Sequence, residues 1–233
     1  MLGIVIPAHN EQDTIEACVQ AARRAGSHAR LDGEPVEIIV VLDGCTDATG
    51  VIAARMGAIT TSVRARNVGV ARAIGAEALL ARGARWLAFT DADTLVSPGW
   101  LTDQLSLGVD AVCGTVGVED WSPHGIHAEL LHRHFLQTYH DCDGHRHIHG
   151  ANLGVSALAY RRVGGFRHLV CSEDVDFVRA LEASGANIAW SAKPRVVTSA
   201  RREARARGGF ADALLNAVVQ RLNPAPLGAM ASP

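Results

Sequence analysis

The chain of 233 residues lacks the features that mark several large functional classes. Its 22 lysines and arginines nearly balance 24 aspartates and glutamates, for a formal charge of -2. No basic stripe stands out before the C-terminal stretch, so the electrostatic footprint of a nucleic-acid binder is missing. The five cysteines (Cys18, Cys45, Cys113, Cys142, Cys171) are odd in number, scattered and without a C-x-x-C pair. That pattern fits reduced thiols and a cytoplasmic location better than a disulfide framework. No apolar run approaches the roughly 20 residues needed to cross a bilayer. The apolar start, Met1 to Pro7, lacks the basic region and longer apolar stretch of a signal peptide. No transmembrane segment is therefore expected, although a peripheral position at a membrane surface stays open. Internal repeats and low-complexity tracts are absent. Pro7 to Asp13 contains no glycine, which excludes the G-x-G-x-x-G turn of a nicotinamide-dependent oxidoreductase and the glycine-rich basic loop of a nucleotidyltransferase.

What is present is a balanced globular composition, 48% hydrophobic and 20% charged, enough for one sizeable core. Leu2 to Pro7 is a β-branched apolar run of the kind buried on both faces of a parallel sheet. Ile15, Cys18, Val19 and Ala22 then recur at helical spacing, with Gly26 beyond them. The alternation continues with a strand over 36–42, a helix over 45–56, a strand over 58–63, a helix over 68–81 and a strand over 86–90. Beyond Pro98 the rhythm loosens. A helix is expected over 100–107, a strand over 111–118, a helix over 123–139 and a loop over 141–149. A strand over 153–160, a helix over 172–183, short strands over 188–190 and 196–198 and a helix over 208–222 complete the reading. Strands alternating with helices through short connections predict an α/β fold: a central, mostly parallel sheet flanked by helices, with a mixed second half. Ligands bind such sheets at the carboxyl ends of the strands.

Three segments fall at those ends. Phe89-Thr90-Asp91-Ala92-Asp93 delivers two carboxylates, two positions apart, from a buried strand. Hard divalent cations such as Mg²⁺ are held by one or two carboxylates together with substrate phosphates, although Asp and Thr after a strand can equally start a turn or cap a helix. Asp43-Gly44-Cys45-Thr46-Asp47 presents a carboxylate, Asp43, able to accept hydrogen bonds from a nucleobase or ribose, while Asp47 reads better as a helix cap. Pro7-Ala8-His9-Asn10-Glu11 stands beside Asp43 and can wall a base pocket or form a plain strand-to-helix turn.

In these segments the chain resembles the family-2 glycosyltransferases of the GT-A fold, over roughly 4–198. The resemblance extends to Asn67-Val68-Gly69-Val70-Ala71-Arg72-Ala73-Ile74-Gly75, Gly150-Ala151-Asn152, Val163-Gly164-Gly165-Phe166 and Ser172-Glu173-Asp174, in family order. It implies a single GT-A domain with a nucleotide-binding half over 1–95, an acceptor and catalytic half over 96–205 and a terminal helix and tail over 206–233. It implies further that Pro7, His9, Glu11, Asp43, Asn67 and Asp91 contact the nucleotide, that Asp91 and Asp93 hold a divalent metal, Mg²⁺ or Mn²⁺, and that Asp174 is the general base, with Glu173 beside it. The partners implied are a nucleoside-diphosphate sugar, UDP slightly ahead of GDP and dTDP, and a hydroxyl acceptor.

The residues themselves support an acid–base role for Asp174, because inverting glycosyl transfer needs a carboxylate to take the acceptor proton while charge on the leaving diphosphate is neutralised. The plainer alternative is that Ser172 caps a helix and Glu173 and Asp174 favour its dipole. Gly164-Gly165-Phe166 is expected to make the turn that leads to this pair. Asn152 and Trp121 are candidates to face the donor or acceptor sugar. One departure from the family pattern is the missing late histidine that often completes the metal site: none follows His168, and the corresponding stretch reads Thr198-Ser199-Ala200-Arg201-Arg202. Arg201 and Arg202 can pair with a diphosphate or simply begin a solvated helix. His124, His127, His132, His134, His140, His145, His147 and His149 crowd one segment, but their spacing fits no usual zinc motif. A catalytically silent nucleotide-binding module is the competing reading; it would be expected to have lost one of Asp43, Asp91, Asp93 or Asp174, and all are present.

Overall fold

A computed structural model describes residues 1–201. The described residues divide into two units, one of residues 1–119 and 140–199, the other of 120–139 and 200–201.

In the first unit the opening apolar run forms β1 (Leu2–Ala8), every residue of it buried. It pairs in parallel with β2 (Val36–Asp43) on one side and β4 (Trp86–Phe89) on the other. β3 (Ile59–Val63) extends the parallel block at the edge of β2. Crossovers are made by α1 (Ile15–Gly26), α2 (Thr49–Arg55) and α3 (Val68–Ala81). The bounds of α3 are those the sequence predicts, because Asn67 caps its start by accepting from Val70 N at 3.0 Å and Gly83 turns the chain away at φ 89°. α2 starts four residues later than predicted: the carboxylate of Asp47 accepts from Thr49 N (3.0 Å) and Thr49 Oγ1 (2.5 Å), holding 45–48 as a loop. Gly75 lets α3 lie directly on the sheet, since a Cβ there would stand 2.6 Å from Val5 Cγ1.

The second half completes an eight-stranded sheet of order β3-β2-β1-β4-β7-β6-β8-β5. β6 (Ala111–Gly117) and β8 (Ile188–Thr198) are parallel to each other, while β7 (Leu153–Ser156) runs antiparallel to both β4 and β6. The predicted strand over 153–160 breaks because Ser156 caps α6 (Ala157–Val163), accepting from Ala159 N at 3.2 Å. The two short strands expected over 188–198 are one strand, β8, whose register shifts opposite Gly114 and Thr115 near Pro194, a residue with no N–H to offer the ladder. β5 (Thr94–Val96), not foreseen, pairs antiparallel with β8 immediately after the Asp-Ala-Asp turn. α4 (Trp100–Leu105) follows it.

The core on one sheet face joins Val5, Phe89, Leu79 and Leu153 to Tyr160, Phe166 and Phe177, the last on α7 (Glu173–Ala183). Gly164 and Gly165, both at positive φ, end α6 and turn Phe166 into this core, where its ring stacks on Phe177 at 4.3 Å and meets Phe89 edge-on at 5.0 Å. The described part of the second unit holds a 3₁₀ turn over 122–127 and α5 (Ala128–Thr138). The predicted terminal helix over 208–222 lies outside the described residues. Among the described residues, no helix is long and apolar enough to cross a membrane.

Candidate active site

Because β1, β2 and β4 are parallel neighbours, their carboxyl ends bring Pro7–Glu11, Asp43–Asp47 and Asp91–Asp93 to one sheet edge. β7 is antiparallel, so its beginning meets the same edge: Leu153 pairs with Phe89, which sets Gly150–Asn152 beside the residues after β4. α7 adds Glu173 and Asp174 from its first turn.

Asp43 is the anchor of the β2 end. Its Oδ1 accepts from Ala65 N and Arg66 N, both at 2.8 Å, and its Oδ2 from Asn67 N at 2.7 Å. The carboxylate is buried, and these donors use most of its acceptor capacity. Asn67 is likewise committed to structure, capping α3 and donating from Nδ2 to Leu169 O at 2.7 Å. His9 closes the same corner. Its Nδ1 meets Asp43 O at 2.6 Å and its Nε2 meets the Arg66 guanidinium, which assigns the proton to Nδ1. Glu11 is buried, donating from N to Thr49 Oγ1 at 2.8 Å and accepting from Thr14 Oγ1 at 3.0 Å. Pro7 sits within β1 in register with Val41.

Asp91 and Asp93 flank the buried Ala92 and are themselves partly exposed, the Asp91 side chain by 36%. Cys18, on α1, donates to Asp91 O, and burial together with the Asp93 and Asp91 charges pushes its thiol well above the ordinary range, so it stays protonated. The residue that organises this site is Arg72, quoted in the sequence motif but given no role there. Its side chain is 4% exposed; Nη2 donates to Asp91 Oδ1 at 2.7 Å and Nη1 to Glu173 Oε1. Burial would lower the Arg72 pKa, and Asp91, Glu173 and Asp174 more than reverse this, so the guanidinium is held charged. Burial pushes the Glu173 carboxyl up, with Arg72 opposing and Asp174 adding to the rise. Glu173 is thus a buried partner of Arg72 and not a group open to substrate.

Asp174 is partly exposed; its Oδ2 accepts from Gly150 N at 2.9 Å and its Oδ1 from Val175 N at 2.8 Å, leaving lone-pair capacity on both oxygens. Ser172 does not cap α7 with its side chain; it takes a left-handed φ of 58° instead. Asn152, expected at the sugar, is fully buried. Its Oδ1 accepts from Trp100 Nε1 at 2.8 Å, and its Nδ2 donates to Thr115 O (2.7 Å) and Pro194 O (2.9 Å), stitching the register shift between β6 and β8. Gly114 leaves the room this amide occupies. Trp121 belongs to the second unit and is 6% exposed, its ring against His132 at 5.6 Å and Phe135 at 5.5 Å; it is a core residue there and no open stacking platform. Arg201 lies in the second unit as well, and Arg202 lies outside the described residues.

Four of the clustered histidines form a stack, with His147 at ring separations of 5.5 Å from His145, 6.0 Å from His149 and 6.3 Å from His140. Burial, then His147 and His145, lower the His149 pKa to about 4 against the pull of Asp91, so this imidazole is neutral. Among the described residues, no group of three or more His, Cys, Asp or Glu side chains is placed to hold a metal ion. The carboxylates beyond the end of β4 are a pair, Asp91 and Asp93, both partly exposed. That set fits a hard cation which takes one or two protein carboxylates and completes its shell with substrate phosphate and water.

The sequence profile of glycosyl transferase family 2 matches residues 3–164, and the chain belongs to that family. No curated protein sequence matches the chain. Among solved structures, TarS residues 1–349 from S. aureus in complex with UDP superposes with a TM-score of 0.60 at 13% identity, over 85% of this chain and 61% of that one. The mannosyltransferase PcManGT from Pyrobaculum calidifontis in complex with GDP-Man and Mn²⁺ gives 0.60 at 19% identity, over 95% and 61%. Glucosyl-3-phosphoglycerate synthase from Mycobacterium tuberculosis in complex with Mn²⁺ and UDP-glucose gives 0.56 at 17% identity, over 96% and 78%. These likenesses show the GT-A fold, and the chain spans about three fifths of the TarS fragment.

Proposed function

We propose that this chain transfers a sugar from a nucleoside-diphosphate-sugar donor to a hydroxyl acceptor with inversion at the anomeric carbon. The observation that supports the reading is that Arg72 binds both Asp91, just beyond β4, and Glu173, in the first turn of α7, so the Asp91–Asp93 turn and the partly exposed Asp174 carboxylate meet at the carboxyl edge of the sheet.

Asp174 takes the proton from the acceptor hydroxyl as its oxygen bonds to the anomeric carbon, and the bond from that carbon to the diphosphate oxygen breaks. Gly150 N–H and the Val175 N–H of α7 hold the carboxylate in place before the proton arrives. Asp91 and Asp93 are the residues that would hold a divalent cation, which supplies positive charge for the leaving diphosphate. The β1 and β2 ends form the nucleotide side, with His9 and Glu11 as its walls; Asp43 and Asn67 act there by fixing the 65–67 loop. UDP is the donor nucleotide slightly favoured, since two of the three structural neighbours named above hold UDP or UDP-glucose and one holds GDP-Man. The five unpaired thiols support a reducing, cytoplasmic setting.

The test is thermal unfolding with UDP, GDP and dTDP, each with and without Mn²⁺. A nucleotide at about 100 times its Kd stabilises the fold by about 2.7 kcal/mol. Selective, Mn²⁺-dependent stabilisation by one of them is expected; no shift with any of the three defeats the reading.

A further inference from the structure

Arg72 is an unusual residue for stability alone to have placed. Its guanidinium is buried at 4% exposure, cannot shed its proton, and its Nε finds no hydrogen-bond partner among the described residues. Buried ion pairs are often replaceable by apolar side chains of similar volume without loss of stability. Yet the surroundings are fitted to this group. A Cβ on Gly150 would collide with Nη2 and Cζ, and the Phe166 ring lies 5.9 Å from Cζ. One fork of the guanidinium binds Asp91, the other binds Glu173, and the next residue, Asp174, is itself tied to Gly150 N. The result is a circuit from Arg72 to Glu173, through the adjacent Asp174 to Gly150 and back by packing onto the guanidinium, with Asp91 attached to it at Nη2.

From this circuit we infer that Arg72 is the positioning residue of the site: it sets the orientation of Asp91 and, through Glu173, the placement of Asp174, so that donor side and acceptor side share one geometry. The inference rests on the glycosyl-transfer reading above. With Oδ1 of Asp91 bonded to Arg72, the carboxylate is held in one orientation before a donor binds, which is how pre-organised charge accelerates transfer. A lysine cannot reproduce this, because a point charge does not fork between two carboxylates.

The test compares wild type with Arg72→Lys and with the double variant Arg72→Met/Glu173→Gln, which removes both buried charges at similar volume and so keeps the fold. Melting temperature, binding of the nucleoside diphosphate that stabilises the wild type, Mn²⁺ affinity by calorimetry, and kcat for nucleoside-diphosphate release from UDP-glucose, UDP-N-acetylglucosamine and GDP-mannose, with water taking the sugar in place of the acceptor, are measured. The double variant should keep nucleotide affinity within about tenfold yet lose about 100-fold in kcat, the scale of a misplacement near 1 Å. Its Mn²⁺ affinity should rise, by on the order of tenfold, because a neighbouring positive charge is gone. Arg72→Lys should lose more than about tenfold in kcat. A double variant within about threefold of wild-type kcat, a lysine variant at full kcat, or nucleotide affinity, Mn²⁺ affinity and kcat all falling together with the melting temperature would each overturn the assignment. Failure of the wild type itself to bind or turn over a donor would instead defeat the glycosyl-transfer reading, a result separable from these.

Discussion

Replacing Asp43 with asparagine separates two roles for one carboxylate. Read from the sequence, Asp43 contacts the nucleotide; in the structure its two oxygens accept from three backbone amides of the 65–67 loop at 2.7–2.8 Å. Asparagine can turn its oxygen toward Ala65 and Arg66, but its NH₂ then faces the N–H of Asn67, donor against donor. The lost bond was to an ionised acceptor, worth about 1.5–3 kcal/mol, and a buried amide left unpaired costs about 1–3 kcal/mol, with the two terms partly describing the same loss. An overall destabilisation of about 2–4 kcal/mol is expected, and at about 2–4 °C per kcal/mol for a chain of this size the melting temperature should fall by about 5–15 °C. Differential scanning calorimetry reads the fall directly, and nucleotide binding measured well below the new midpoint reads the contact. If Asp43→Asn melts within about 2 °C of wild type while nucleotide binding disappears, the loop-anchor reasoning is wrong and the carboxylate serves the ligand.

Three further outcomes are expected. Asp174→Asn should retain nucleotide-dependent stabilisation in a thermal melt while kcat falls by about 10²–10⁴, the usual contribution of a general base; normal turnover would remove Asp174 from that role. Gly150→Ala should lower both melting temperature and kcat, since the added methyl displaces Arg72 from its place between Asp91 and Glu173; wild-type values in activity and calorimetry would contradict the packing. His149 is neutral in the fold with its pKa lowered from 6.5 to about 4, so the unfolded chain takes up its proton first as pH falls. Its contribution is complete above about pH 6.5 and is lost as pH drops toward about 4, by on the order of 3 kcal/mol, and His149→Gln should flatten stability over that window in urea titrations.

Much of the first half was legible because its signals are local. β1 is a continuous apolar run, α3 has an asparagine cap at one end and a glycine at the other, and the Asp-Ala-Asp turn follows a buried strand without interruption. β5 escaped notice because three residues carry no periodicity; it is a strand only because β8, about a hundred residues on, offers it a partner. Asn152 read as a sugar contact since a polar side chain in a short loop is usually exposed, and its burial depends on Trp100 and Pro194 meeting it from distant parts of the chain. Ser156 could have divided the 153–160 run, being a good helix cap before an alanine-rich stretch. Arg72 stood in plain view within a helix. Nothing in its neighbourhood marks it as buried, because both its partners arrive from other elements, Glu173 from 101 residues away. Asp47, read as a helix cap, lies one residue before the N-cap of α2, Ala48, and its carboxylate accepts from Thr49 instead, a contact only two residues long.

The antiparallel setting of β7 separates two kinds of support beside Asp174. Gly150 is pinned by Asp174 and by the ladder that begins at Leu153, whereas the connection running into it, 140–149, contains no helix or strand. That connection is held by side chains instead, Asp141 accepting from Thr115 Oγ1 and from Arg195 and Asp143 accepting from Ser191 Oγ. Residues of the connection between these tie points, such as Cys142, are the ones whose side chains can vary without breaking a contact to the sheet.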